Sequence, residues 1–122
     1  MYEITVKKTF SAAHTLVIGG KREELHGHNF KVEATVSSEG LNKEGLVLDF
    51  RVLKKWLDEI LEELDHTFLN DLTAFKNSSP TAENIATFIY NRMERYSVSM
   101  DLSVSRIAVW ESENSKAVYM KR

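Results

Sequence analysis

Histidine is scarce in this chain, four in 122 residues, and two of the four flank one glycine in Leu25-His26-Gly27-His28-Asn29-Phe30. The residues that follow, Phe30 to Val36, alternate apolar and polar, the pattern of a half-buried strand. Side chains two apart on a strand share a face, so His26 and His28 point the same way. At ~3.3 Å of rise per residue their Cα atoms lie roughly 6–7 Å apart. That span lets both imidazoles converge on one ion at about 2.0–2.1 Å per bond. Gly27 leaves the opposite face uncrowded. His14 ends the preceding strand-like segment, where an antiparallel neighbour would bring it to about 5 Å. Isolated histidines more often finish in a core or on a surface, and the third imidazole is what lifts this stretch above chance. The expectation is a three-histidine metal site with one open position, the arrangement of catalytic zinc. Imidazole donors alone do not single zinc out from other divalent ions.

The elements that must hold these rings can be followed along the chain. Tyr2 to Phe10 alternates, with Tyr2, Ile4, Val6 and Phe10 on one face and Glu3, Thr5, Lys7 and Thr9 on the other; this predicts a strand, with His14 shortly after it. Residues 15–25 form a loop with Gly19-Gly20 and the charged run Lys21-Arg22-Glu23-Glu24. Such a run is commonly a solvated cluster; here it is also placed to fold over a metal and bring a carboxylate or cation to a substrate. A second strand is expected from Leu25 to Ser37. Asp49 is a candidate N-cap for a helix with the stripe Leu53, Trp56, Leu57, Ile60, Leu61 and Leu64, whose periodicity marks it as core. Ser79-Pro80 is expected to open a second helix, with Ser79 as N-cap and Pro80 in the first helical position. Residues 102–111 and Lys116 to Met120 make the last two strands, and a change of apolar parity between Val104 and Ile107 predicts a bulge.

The order strand-strand-helix-helix-strand-strand predicts an α+β domain spanning residues 1–122, a four-stranded antiparallel sheet with both helices on one face. Open sheet edges favour association, and several copies could close the sheet into a barrel. The composition is that of an ordinary globular chain, with 43% hydrophobic and 28% charged residues. A net charge of −2 with dispersed Lys and Arg argues against nucleic acid. No apolar run approaches a membrane span, and Met1-Tyr2-Glu3-Ile4 does not begin a signal peptide. Cysteine is absent, which excludes disulfides, thiolate ligands and a cysteine nucleophile, and fits a cytoplasmic location.

Phe10-Ser11-Ala12-Ala13-His14, Leu25-His26-Gly27-His28-Asn29, Leu64-Asp65-His66 through Leu69-Asn70, Pro80-Thr81-Ala82-Glu83-Asn84 and Trp110-Glu111 together resemble the 6-pyruvoyl-tetrahydropterin synthase family. That family includes the 6-carboxytetrahydropterin synthases of queuosine biosynthesis. The resemblance covers nearly the whole chain in order. It implies the T-fold, with trimers closing a β-barrel and stacking as hexamers. It also implies zinc on His14, His26 and His28, and 7,8-dihydroneopterin triphosphate as substrate. By the same resemblance Glu111 matches the carboxylate that anchors the pterin, Thr81 lines the pterin pocket, and Asp65 and His66 form a proton-transfer pair. The chemistry suits those roles: a carboxylate accepts two N–H groups of a guanidine-like edge, and an imidazole beside a carboxylate shuttles protons near neutrality. Because adjacent residues do not face each other on a helix, that pair requires the first helix to have ended by Asp65.

One departure decides between activities. Family members that form pyruvoyl or carboxy products carry a catalytic cysteine before the His-Gly-His, where this chain has Arg22. Glu23 stands three residues before His26 instead, which resembles a branch in which glutamate replaces cysteine. That branch cleaves the C1′–C2′ bond of the substrate side chain, giving 6-hydroxymethyl-7,8-dihydropterin for folate synthesis. The adjacent Glu24 is a rival for the base. The alternatives are 6-pyruvoyl- or 6-carboxytetrahydropterin synthase activity, a pterin-binding zinc protein without catalysis, and a metal-free interaction domain.

Overall fold

A computed structural model describes residues 1–121. Strands β1 (Tyr2–His14) and β4 (His26–Ser38) pair antiparallel along their whole length, Tyr2 opposite Ser38 and His14 opposite His26. β1 thus extends past Phe10 and carries His14 itself. Between them, two-residue strands β2 (Val17–Ile18) and β3 (Lys21–Arg22) form a small hairpin within the expected loop, turned by Gly19 and Gly20 at positive φ.

Helix α1 (Phe50–Glu62) begins where Asp49 accepts a hydrogen bond from the Arg51 N–H at 2.8 Å. It ends before Asp65, although its apolar stripe carries on through Leu64, which is fully buried. Helix α2 (Ala82–Ser97) is capped by Thr81, whose Oγ1 accepts from the Asn84 N–H at 3.1 Å. Ser79 is therefore not the cap, and Pro80 lies outside the helix. A hydroxyl three residues before a free N–H satisfies one of the four donors a helix start leaves open, and Thr81 is where that geometry occurs.

Strands β6 (Ser103–Ser112) and β7 (Ser115–Tyr119) complete the main sheet. The expected bulge is present. Thr35 pairs with Arg106 and Val36 with Val104, which leaves Ser105 without an opposite residue. The four-stranded antiparallel expectation is corrected in one respect: β5 (Thr67–Phe68) adds a fifth strand, parallel to β1, and the order is β5-β1-β4-β6-β7. The chain returns to β1 here because the His66 N–H donates to the Ser11 carbonyl at 2.6 Å, with His66 in the left-handed region at φ 57°.

Both helices cover the face carrying Val6, Phe10, Phe30, Val32, Ala34, Val36, Ile107 and Val109, all buried. The other face is polar. Thr5 and Thr35 share a 2.7 Å hydrogen bond, Arg106 pairs with Glu3, and Lys31 and Lys116 stack over Trp110. Among the described residues no helix is long and apolar enough to cross a membrane.

Candidate metal and catalytic site

Even-numbered residues of β1 and β4 face the helices, so His14, His26 and His28 extend the core face beyond Phe10 and Phe30. The bulge in β6 puts Ile107, Val109 and Glu111 on that same face. Four side chains consequently meet at one end of the sheet. One ligating atom from each of His14, His26, His28 and Glu111 lies within 4.8 Å of the others. The ring centroids are 4.8 Å (His14–His26), 5.3 Å (His14–His28) and 4.6 Å (His26–His28) apart, all edge to face. Below them the rings of Phe10 and Phe30 stack at 4.9 Å and form an apolar floor.

Backbone carbonyls orient two of the rings. His14 Nδ1 lies 2.8 Å from the Pro80 carbonyl and His26 Nδ1 lies 2.9 Å from the Glu24 carbonyl. A carbonyl only accepts, so each Nδ1 carries the proton and each Nε2 presents a lone pair. This is the orientation that outer hydrogen bonds impose on metal-bound imidazoles. His14 Nε2 and His28 Nε2 are buried with no hydrogen-bond partner, an unfavourable state that a bound cation would relieve. Glu111 Oε1 comes within 3.3 Å of His28 Nε2 without forming a hydrogen bond. The donor set of three neutral nitrogens and one carboxylate oxygen suits a zinc-like ion.

Burial pushes the His28 imidazole below its ordinary value of 6.5; the Glu111 carboxylate opposes this, His26 and His14 reinforce it, and Glu23 opposes it weakly. The neutral, ligating form is favoured. Glu23 is anchored through its backbone: its N–H donates to the Leu16 carbonyl at 2.8 Å and its carbonyl accepts from Thr15 Oγ1 at 2.7 Å. Glu24 contributes its carbonyl to His26.

Asp65 and His66 are side by side, with His66 Nε2 3.5 Å from Asp65 Oδ2. Asp65 Oδ1 also accepts from the Ser11 N–H at 2.8 Å. Their location differs from that of the histidine cluster. His66 borders a depression with Ser11, Ala12, Ala13, Gly27, His28 and Asn29, and is not among the ligating groups gathered at His14, His26, His28 and Glu111. Thr81 spends its hydroxyl oxygen as the α2 cap and follows Pro80, which holds His14; it does not border that depression.

Sequence reasoning missed the supporting groups. Asn70 clamps the residue after His14, its Oδ1 accepting from the Thr15 N–H at 3.0 Å and its Nδ2 donating to the Thr15 carbonyl at 2.9 Å. The Pro80 and Glu24 carbonyls are backbone groups, and no side-chain pattern announces them. The nearness of Glu111 to His28 follows from the β6 bulge, whose parity signal was visible.

A family model described as 6-pyruvoyl tetrahydropterin synthase matches residues 3–122. The chain is 42% identical over 108 residues to a dihydroneopterin monophosphate aldolase of Pyrococcus furiosus, covering 88% of each chain. It is 37% identical over 125 residues to a 6-carboxy-5,6,7,8-tetrahydropterin synthase of Synechocystis, covering 98% of this chain and 93% of the relative. In fold it resembles a 6-pyruvoyltetrahydropterin synthase of Plasmodium vivax, solved with a catalytic glutamate replaced by alanine: the TM-score is 0.81 at 22% identity, covering 99% and 98% of the two chains.

Proposed function

Since the chain belongs to the 6-pyruvoyl tetrahydropterin synthase family, we propose that it is a zinc-dependent lyase cleaving the C1′–C2′ bond of 7,8-dihydroneopterin triphosphate to give 6-hydroxymethyl-7,8-dihydropterin. The observation that carries this reading is the convergence of His14, His26, His28 and Glu111 in a chain without cysteine, with Glu23 pinned by Leu16 and Thr15 in the segment that leads into β4. The Pyrococcus furiosus relative, named for the monophosphate, makes that ester the second substrate to test.

Zinc on His14, His26 and His28 supplies a fixed positive charge that acidifies side-chain hydroxyls of a bound substrate. Glu23 then accepts the proton of the 2′-hydroxyl. The C2′–O bond becomes a carbonyl as the C1′–C2′ pair moves into the conjugated pterin ring. His66, held by Asp65, returns a proton to C1′, which stays on the pterin as its hydroxymethyl carbon. The other product is glycolaldehyde carrying the phosphate. Glu111 accepts two N–H groups from the guanidine-like edge of the pterin, and Thr81 lines the pterin pocket. General base catalysis of this kind is worth about 10²–10⁴-fold.

Asp65 and His66 lie outside the group of ligating side chains, and a neighbouring copy supplies the proton-transfer pair. Copies that pair β5 and β7 edges close a barrel and bury both exposed edges; three make the ring and two rings a hexamer. A second reading, 6-carboxytetrahydropterin synthase chemistry with triphosphate elimination, is favoured by the extent of the Synechocystis match.

Glu23→Ala tests the assignment. The variant is expected to keep zinc and pterin binding and to lose turnover by at least about 10²-fold. Full activity in that variant discards Glu23 as the base.

A further inference from the structure

A second cavity opens directly behind His14. Thr15 and Pro80, which respectively follow His14 in the chain and hold its Nδ1, form its near wall. Arg22 and Lys76 line it from two separate segments, with Asn70 and Ser79 between them. Both cations are exposed, and neither has an ion-pair partner among the described residues. Two like charges at one concavity raise its positive potential and favour an anion there. Val17, Phe68 and Phe75 supply an apolar backing that would strengthen the attraction by excluding water.

The order of strands gives this cavity its place. Glu111 on β6, His28 and His26 on β4, and His14 on β1 form a row across one face of the sheet, and the cavity lies next in that row, beyond β1. The cavity borders the residues that follow and hold His14, so a side chain whose hydroxyls reach the histidine cluster would extend toward Arg22 and Lys76. Arg22 also adjoins Glu23 in the chain, so the hairpin that brings the base brings the guanidinium.

We propose that the cavity behind His14 holds the phosphate-bearing end of the substrate side chain, with Arg22 and Lys76 as its charged contacts. The planar guanidinium grips phosphate oxygens in bidentate fashion and the ammonium acts as a point charge. This inference rests on the pterin-phosphate reading above.

Its test has two arms. Calorimetric titration of the zinc-loaded protein with inorganic tripolyphosphate reads the cavity without any reaction. Arg22→Gln and Lys76→Gln are each expected to weaken binding about ten-fold or more while zinc content and thermal midpoint hold; Arg22→Lys should recover part of the loss. In the second arm, KM for 7,8-dihydroneopterin triphosphate and monophosphate rises about ten-fold or more in both variants, while KM for unphosphorylated dihydroneopterin does not change. Unchanged tripolyphosphate affinity overturns the proposal, as does an equal KM change for phosphorylated and unphosphorylated pterins, which would mark the cavity as a site for the ring. Tripolyphosphate binding that depends on Arg22 and Lys76, in a protein that turns over no pterin, upholds the anion site and removes the proposed reaction.

Discussion

His28 shows how position sets the chemistry of one residue. Its imidazole sits on an apolar floor between two other rings, and desolvation lowers its affinity for a proton. Below pH 6.5 the unfolded chain takes up that proton before the folded one does. Stability of the metal-free protein is therefore fully present above pH 6.5 and falls as pH drops through the lowered folded value. Protons compete with metal over the same range. Zinc affinity, followed with a chromophoric chelator, is expected to be level above pH 7 and to decline steeply from 6.5 to 5.5; an affinity independent of pH there contradicts the three-imidazole site. For Glu111, substitution by Gln should retain zinc and weaken pterin binding about ten-fold, as read by fluorescence titration. Loss of zinc in that variant would make Glu111 a ligand first. The three histidines were legible because alternation on a strand fixes which side chains share a face. Glu23 and Glu24 were not separable from sequence, because the direction of a side chain in a short hairpin depends on how its backbone is pinned, here by Leu16 and Thr15.

Among the elements, the long periodic ones were readable and the short ones were not. The stripe of α1 and the alternation of β4 each span 13 residues, long enough for a period to emerge. β5 has two residues, too few for any pattern, and it exists because Ser11 captures the His66 N–H. The start of α2 was misplaced by two residues because Ser79-Pro80 carries a good start signal, yet the Pro80 carbonyl is turned to His14. Thr81 thus caps α2 directly after the residue whose carbonyl meets His14. Thr81→Ala should cost about 1 kcal/mol in chemical denaturation, whereas Thr81→Ser should stay within a few tenths. A loss of pterin affinity in Thr81→Ser would show that the methyl group, and not the cap, matters to the pocket. In the core, Ile89→Ala removes a fully buried side chain and is expected to cost about 2–5 kcal/mol.

At the scale of the molecule, a single chain is incomplete for the reaction proposed. The Asp65–His66 pair lies outside the group of histidines and Glu111, and β5 and β7 are the edge strands of the sheet. The sequence suggested association from the open edges and from the family resemblance; the position of the proposed proton-transfer pair outside the histidine cluster adds a chemical reason. Sedimentation is expected to show trimers or hexamers, and mixing inactive Glu23→Ala with inactive His66→Ala subunits should restore part of the activity. Mixed assemblies with no activity would place both groups in one chain. The central claim, that a carboxylate turns this family's zinc site to carbon–carbon cleavage, is tested most directly by incubating the zinc-loaded protein with 7,8-dihydroneopterin triphosphate and, separately, its monophosphate, and weighing the products. The account predicts 6-hydroxymethyl-7,8-dihydropterin with the matching glycolaldehyde phosphate; a 6-carboxy or 6-pyruvoyl pterin with released triphosphate would contradict it.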